Sequence, residues 1–200
     1  MSIRRERKDA AEHRKLILQT AKCLFKEHGV HPVSMHQIAK KAGIGQATLY
    51  RRYAHKGDLC FDILQDYGRE ILEEMNSYLQ INQHAPAADR LGGILDLWID
   101  AVEERSDLII EMESKMNCQD NRGNFFHSPM YRFIREKMSG LIVEIVGANP
   151  QLPIDPDLTA HAIICSLSPV GYFYIKQEKG YSREQMKQGF RQMCRLASPV

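Results

Sequence analysis

The sequence predicts an all-α fold of about nine helices, with an N-terminal three-helix domain followed by a larger helical C-terminal domain. Three observations carry this expectation. Apolar residues recur at helical spacing almost from end to end, and no stretch alternates apolar and polar residues over a useful strand length. Gly, Pro and Asn/Asp clusters interrupt the pattern at intervals that suit helices. Two hundred residues suffice for one or two modest domains with a real core.

The first helix is expected at roughly 12–28, its apolar stripe made by Leu16, Ile17, Thr20, Ala21, Leu24 and Phe25. A basic arm of Arg4, Arg5, Arg7 and Lys8 precedes it. The second helix, at about 34–41, is announced by Ser34 with Gln37 three residues on, the spacing of a capping box. Ala42-Gly43 then supplies a tight turn, since glycine takes positive φ without steric cost. In the third helix, at about 45–52, Leu49 faces inward with Ile44 just before it, while Ile38 and the small Ala39 let the second helix cross closely. Gln46, Ala47, Thr48, Tyr50, Arg51 and Arg52 are left for the outside. Such a helix-turn-helix is built to lay its second helix in a DNA major groove. The fourth helix starts near Lys56 and runs to about Ile81, where Asn82-Gln83-His84-Ala85-Pro86 ends it. The domain boundary is placed after Lys56, giving residues 1–56 and 57–200.

Five more helices are expected at roughly 88–105, 107–118, 129–146, 156–178 and 183–196. Ser128-Pro129 and Asp155-Pro156 each join an N-cap residue to proline at the first helical position, and Ser182 with Gln185 repeats the capping box. Pro169 should kink the 156–178 helix after Leu167-Ser168.

The net charge of +2 hides an asymmetry. Residues 1–56 hold 13 Lys/Arg against 4 Asp/Glu, a net of +9, whereas the remainder holds 14 against 21, a net of −7. That split points to a polyanionic partner, double-stranded DNA, for the N-terminal part alone. Cys23, Cys60, Cys118, Cys165 and Cys194 are odd in number and show no C-x-x-C spacing, which argues against disulfides or a zinc module. His28, His31 and His36 cluster in sequence but lack i, i+4 pairing and a thiol or carboxylate neighbour, so no metal site is expected. With no apolar run of spanning length and a charged N-terminus, the chain is expected to be cytoplasmic and away from membranes. No nucleophile elbow, phosphate loop or H-E-x-x-H is present, so the chain is read as no enzyme, with no cofactor.

Leu24-Phe25…Gly29, Ser34-Met35…Ile38-Ala39, Ala42-Gly43-Ile44 and Thr48-Leu49-Tyr50…Tyr53…Lys56 resemble the DNA-binding domain of TetR-family transcriptional regulators. The likeness covers roughly the first third of the chain. It departs at Gln46-Ala47-Thr48-Leu49-Tyr50, where the family often carries Lys-Gly-Thr-Leu-Tyr. On the residues themselves, Gln46 suits adenine and Arg51 suits guanine, while Ala47 and Thr48 suit thymine methyls. Ser34, His36, Thr48, Tyr50, Tyr53 and Lys56 suit phosphate oxygens, and the resemblance assigns backbone grip to Tyr50 and Lys56.

The resemblance also implies a homodimer with an apolar effector pocket among the central helices. Trp98, Met112, Met116 and Tyr131 are the candidate lining, with Glu111 and His127 as polar selectors. Ile163, Leu167, Phe173, Phe190 and Met193, on the last two helices, are the candidate dimer interface. The expected function is a ligand-responsive repressor, released from a palindromic operator by an unidentified small molecule. The alternatives from other classes are a sequence-neutral architectural DNA-binding protein and a helical enzyme, the latter disfavoured by the missing catalytic constellation.

Overall fold

The computed structural model describes the backbone of residues 2–113, 126, 128–148 and 154–196, and the side chains of all of these except 2–10, 195 and 196. Among the described residues ten α-helices follow one another: α1 (Ser2–His28), α2 (Met35–Lys41), α3 (Gln46–Arg52), α4 (Lys56–Ile81), α5 (Ala87–Glu104), α6 (Ser106–Glu113), α7 (Pro129–Ala148), α8 (Pro156–Ser166), α9 (Pro169–Lys179) and α10 (Arg183–Leu196). No strand occurs among the described residues, and no single helix there is long and apolar enough to cross a membrane.

The tenth helix arises at Pro169. Instead of kinking one helix, it starts a new one, and α8 and α9 meet at a bend of 68°. The corner is tight, because a Cβ on Gly171 would lie 2.7 Å from the Cys165 carbonyl oxygen. A second departure is at the N-terminus, where α1 begins at Ser2 and not near residue 12. The Arg-, Lys- and Ala-rich stretch there contains no Gly or Pro, and these residues favour a helix over a free arm.

The helices form two compact units. The first holds α1–α3, α4 as far as Tyr67, and α6, while the second holds α4 from Gly68 on, α5 and α7–α10. In the first, Ile17, Leu18 and Ala21 of α1, Ile38 of α2, Leu49 of α3 and Leu59 and Ile63 of α4 close one core, with Leu108 and Met112 of α6 packed on it. Cys60 belongs to this core, and burial pushes its thiol up to about 12. In the second, Leu91, Leu95 and Ile99 of α5 share the interior with Met138 of α7, Ile164 of α8 and Met186 of α10. Tyr172 is fully buried, and its hydroxyl donates to the Glu103 carboxylate, which also pairs with Lys176.

Candidate nucleic-acid interface

The helix-turn-helix is held by the caps its sequence announces. The Gln37 amide donates to Ser34 Oγ at 3.2 Å, and Gln37 Oε1 accepts from the Ser34 amide at 2.7 Å, completing the box that opens α2. Gly43 carries φ of +67°, the left-handed conformation that turns the chain toward α3. One side of α3 is fixed by Leu49, which is wholly buried, and by the half-buried Ile44 ahead of it.

On the other side Gln46, Ala47, Tyr50, Arg51 and Arg52 are exposed, and Thr48 is half-buried. A seven-residue helix thus presents two guanidiniums, an amide and a phenol outward, with no acidic residue of its own to oppose a phosphate. Ser34 and His36 are exposed on the neighbouring α2 end, where the Gln46 side-chain amide nitrogen is hydrogen-bonded to His36 Nδ1.

Two predicted contact residues turn inward. Tyr53, only 5% exposed, donates its hydroxyl to Asp62 Oδ2 at 2.5 Å, and Asp62 also accepts from Arg14 Nε at 2.9 Å. Burial and the Asp62 carboxylate push the Tyr53 phenol up to about 12. Burial alone would raise the Asp62 pKa, but the hydrogen bonds from Arg14 and Tyr53 outweigh it and hold the carboxyl below its ordinary value. Lys56 Nζ donates to the carbonyls of Val30, His31 and Val33 at 3.0, 3.1 and 3.2 Å, and lies 3.3 Å from Glu111 Oε2. Its ammonium therefore ties the loop before α2 to α4 and α6. Tyr53 and Lys56, expected to touch phosphate, thus find acceptors within the first unit and tie its elements together. No sequence motif marks Arg14 and Asp62 as partners in this frame, and Glu111, expected as a polar selector of the effector pocket, pairs here with Lys56. Arg14 and Asp62 lie 48 positions apart and Lys56 and Glu111 about 55, beyond any local spacing rule, while Tyr53 and Asp62 are only nine apart.

Among the predicted effector residues, Trp98 and Tyr131 belong to the second unit and Met112 to the first. Trp98 lines an apolar cavity in the second unit with Met75, Ile94, Leu95, Ile134, Met138, Ile164 and Leu167, and its indole N–H donates to the Leu167 carbonyl at 2.8 Å. The empty volume is at most about 260 Å³, below the ~300–1,000 Å³ of pockets that enclose drug-sized ligands. Tyr131 is buried, but its hydroxyl is bonded to His161 Nδ1. Met112 packs on the core of the first unit, Glu111 pairs with Lys56, and Met116 and His127 lie outside the described residues, as does Cys118.

The predicted dimer residues also divide. Ile163, Leu167 and Phe190 are buried within the single subunit and so belong to its own core, while Phe173 is half-buried. Met193 is exposed, and with it are Leu158 of α8 and Val170 and Tyr174 of α9, each about two-thirds exposed. Leu158 is not among the candidate interface residues, because helical spacing marks apolar positions without saying which side of them is covered.

With this geometry in place, relatives can be compared on the same footing. Residues 17–63 match the model of bacterial regulatory proteins of the tetR family, which spans α1 from its first core residue to Ile63 of α4. An HTH-type transcriptional regulator of Staphylococcus aureus (strain bovine RF122 / ET3-1) is 52% identical over 59 residues, covering 30% of this chain and 32% of that regulator's length. The whole fold resembles a TetR/AcrR-family regulator from Thermobifida fusca YX-ER1, with a TM-score of 0.62 over 92% of this chain and 96% of the other at 19% identity. FadR from Bacillus subtilis, solved in complex with stearoyl-CoA, has the same fold, with a TM-score of 0.59 over 90% of this chain and 96% of the other at 15% identity. The segment that matches in sequence is the one that presents α3: residues 17–63 match the tetR family of bacterial regulatory proteins, and the described helices beyond it share the fold of TetR/AcrR regulators.

Proposed function

We propose that this protein is a homodimeric, ligand-responsive repressor that binds a palindromic operator through α3. The observation that carries this reading is the outer face of α3: Gln46, Tyr50, Arg51 and Arg52 exposed together on a helix locked from behind by Leu49. Phosphate grip comes from Ser34, His36, Thr48 and Tyr50, and base choice from Gln46, Ala47 and Arg51, with Arg52 adding cationic charge. Tyr53 and Lys56 act behind them by holding the frame. Two copies would join through the exposed apolar faces of α8 and α9, doubling the contacts and imposing two-fold symmetry on the site. The effector is apolar or amphipathic and enters the cavity at Trp98, widening it. That a relative of the same fold was solved with stearoyl-CoA supports this chemistry. Coupling would run along α4, which carries Lys56 at its start and the cavity residue Met75 nineteen positions on.

The test is selection of bound sequences from random DNA at physiological salt. A two-fold symmetric site bound at least ~10³ times more tightly than random DNA is expected. Arg51→Ala should then cost about 1–3 kcal/mol per half-site and relax preference at one base position. A flat preference over random DNA would instead favour the architectural reading, and an unchanged preference in Arg51→Ala would remove that residue from base reading.

A further inference from the structure

We infer that His36 fixes the base choice made by Gln46, by locking which way round the Gln46 amide is presented. The inference rests on the operator-binding reading above. Gln46 is the first residue of α3, at the end of a recognition helix that meets base edges, and His36 lies ten positions earlier on α2. The Gln46 Nε2 group and His36 Nδ1 are hydrogen-bonded across the turn.

An amide nitrogen donates and does not accept, so Nδ1 must be the acceptor in this bond. The ring is then the tautomer with its proton on Nε2. That leaves Nε2–H free as a donor for a phosphate, and it leaves Gln46 with Oε1 and a second N–H. Those two groups match the N6–H and N7 of adenine. If the amide turned by half a rotation, Oε1 would face Nδ1, and two acceptors would oppose each other across a hydrogen-bond distance. A ring whose Nε2–H is engaged by a phosphate oxygen keeps its proton there, so reversing the amide would require giving up that bond or charging the ring. Without the imidazole, Gln46 could offer its NH₂ group to the O6 of guanine or the O4 of thymine, and its preference would broaden. His36 is thus a positioning residue for recognition, acting through Gln46 and not on the base.

The test uses full-length protein and the operator obtained by selection, with all four bases placed at the position that Gln46 reads. Wild type should prefer adenine, and His36→Ala should reduce that preference on the order of tenfold, the size of one bidentate contact. His36→Asp puts an acceptor-only oxygen where Nδ1 stands. Its negative charge should weaken binding to all four sites alike while keeping the adenine preference. In a Gln46→Ala background, His36→Ala should change the base preference no further. The inference is overturned if His36→Ala lowers affinity equally for all four bases, if His36→Asp loses preference as Ala does, or if the effect persists without Gln46. A wild-type protein that selects no site at all would instead overturn the operator-binding reading, and this inference with it.

Discussion

In the first unit the side chains left outside the core at the helix-turn-helix are polar and cationic, whereas in the second several of those left outside α8–α10 are apolar. Gln46, Arg51 and Arg52 on α3 have the look of a surface awaiting a polyanion. Leu158, Val170, Tyr174 and Met193 have that of a surface awaiting more apolar area. The interiors differ too. Around α3, a buried frame of Arg14, Asp62, Tyr53, Lys56 and Glu111 fixes the helix by directional bonds. Around Trp98, apolar side chains line a cavity of at most about 260 Å³. The proposed ligand-operated repressor requires that the effector contact its two states differently, since only differential contact can carry a signal.

The largest effect should come from breaking the apolar face. Val170→Asp with Tyr174→Asp places two charges on exposed positions of α9, where the subunit's own core is not disturbed. The variant should remain folded by circular dichroism and sediment as a monomer. Operator affinity should fall at least ~100-fold, because the second half-site becomes a separate binding event. A variant that stays dimeric would move the interface to another part of the subunit.

These contrasts also explain how far the sequence could be read. The Ser34–Gln37 box, the Gly43 turn and the starts at Pro129 and Pro156 each follow from a local rule, and each is found where the residues put it. Local rules also separated the exposed side of α3 from Leu49, because polar residues are conspicuous on a helix that must pack by one face. They do not tell that Ile163, Leu167 and Phe190, as apolar as any interface residue, are covered by their own subunit. Nor do they give the intramolecular partners of Tyr53 and Lys56, which the tertiary fold brings close. Apolarity at helical spacing locates burial, but it does not say who does the burying.

A smaller effect is expected from the frame behind α3. Asp62→Asn removes the charge that Arg14 and Tyr53 share in a part-buried site, which should cost about 2 kcal/mol. Hydrogen exchange at α1 and α4 amides should report the loss, with little change at α5 and α10. The pH dependence has a defined sign. The folded-state pKa of Asp62 lies below its ordinary value, so the unfolded chain takes up a proton first as pH falls. Its stabilisation is present above about pH 4 and is lost as pH drops through the lowered folded-state value. In Asp62→Asn that part of the acid dependence should vanish, and a slope equal to wild type would assign the acid sensitivity to other carboxyls.

The smallest effect, and the one that probes both surfaces in a single tube, is thiol labelling. Cys165 is exposed on α8 in the same helical row as Leu158 and Ala162, while Cys23 is exposed on α1 of the first unit. Burial pushes the thiols of Cys60 and Cys194 up to about 12 and about 11, so both should be inert near neutral pH. The Cys23 thiol is also raised, first by its hydrogen bond to Glu27, so it should react more slowly than an ordinary exposed thiol. In a Cys118→Ser background, Cys165 should therefore label first in dilute protein. As concentration rises and the apolar face is covered, the Cys165 rate should fall several-fold while the Cys23 rate stays constant. Adding operator DNA should not restore the Cys165 rate, because bound dimer keeps α8 covered. Equal Cys165 rates across the monomer–dimer range would mean that Leu158 and its row stay open to solvent, and that the apolar face of the second unit serves something other than self-association.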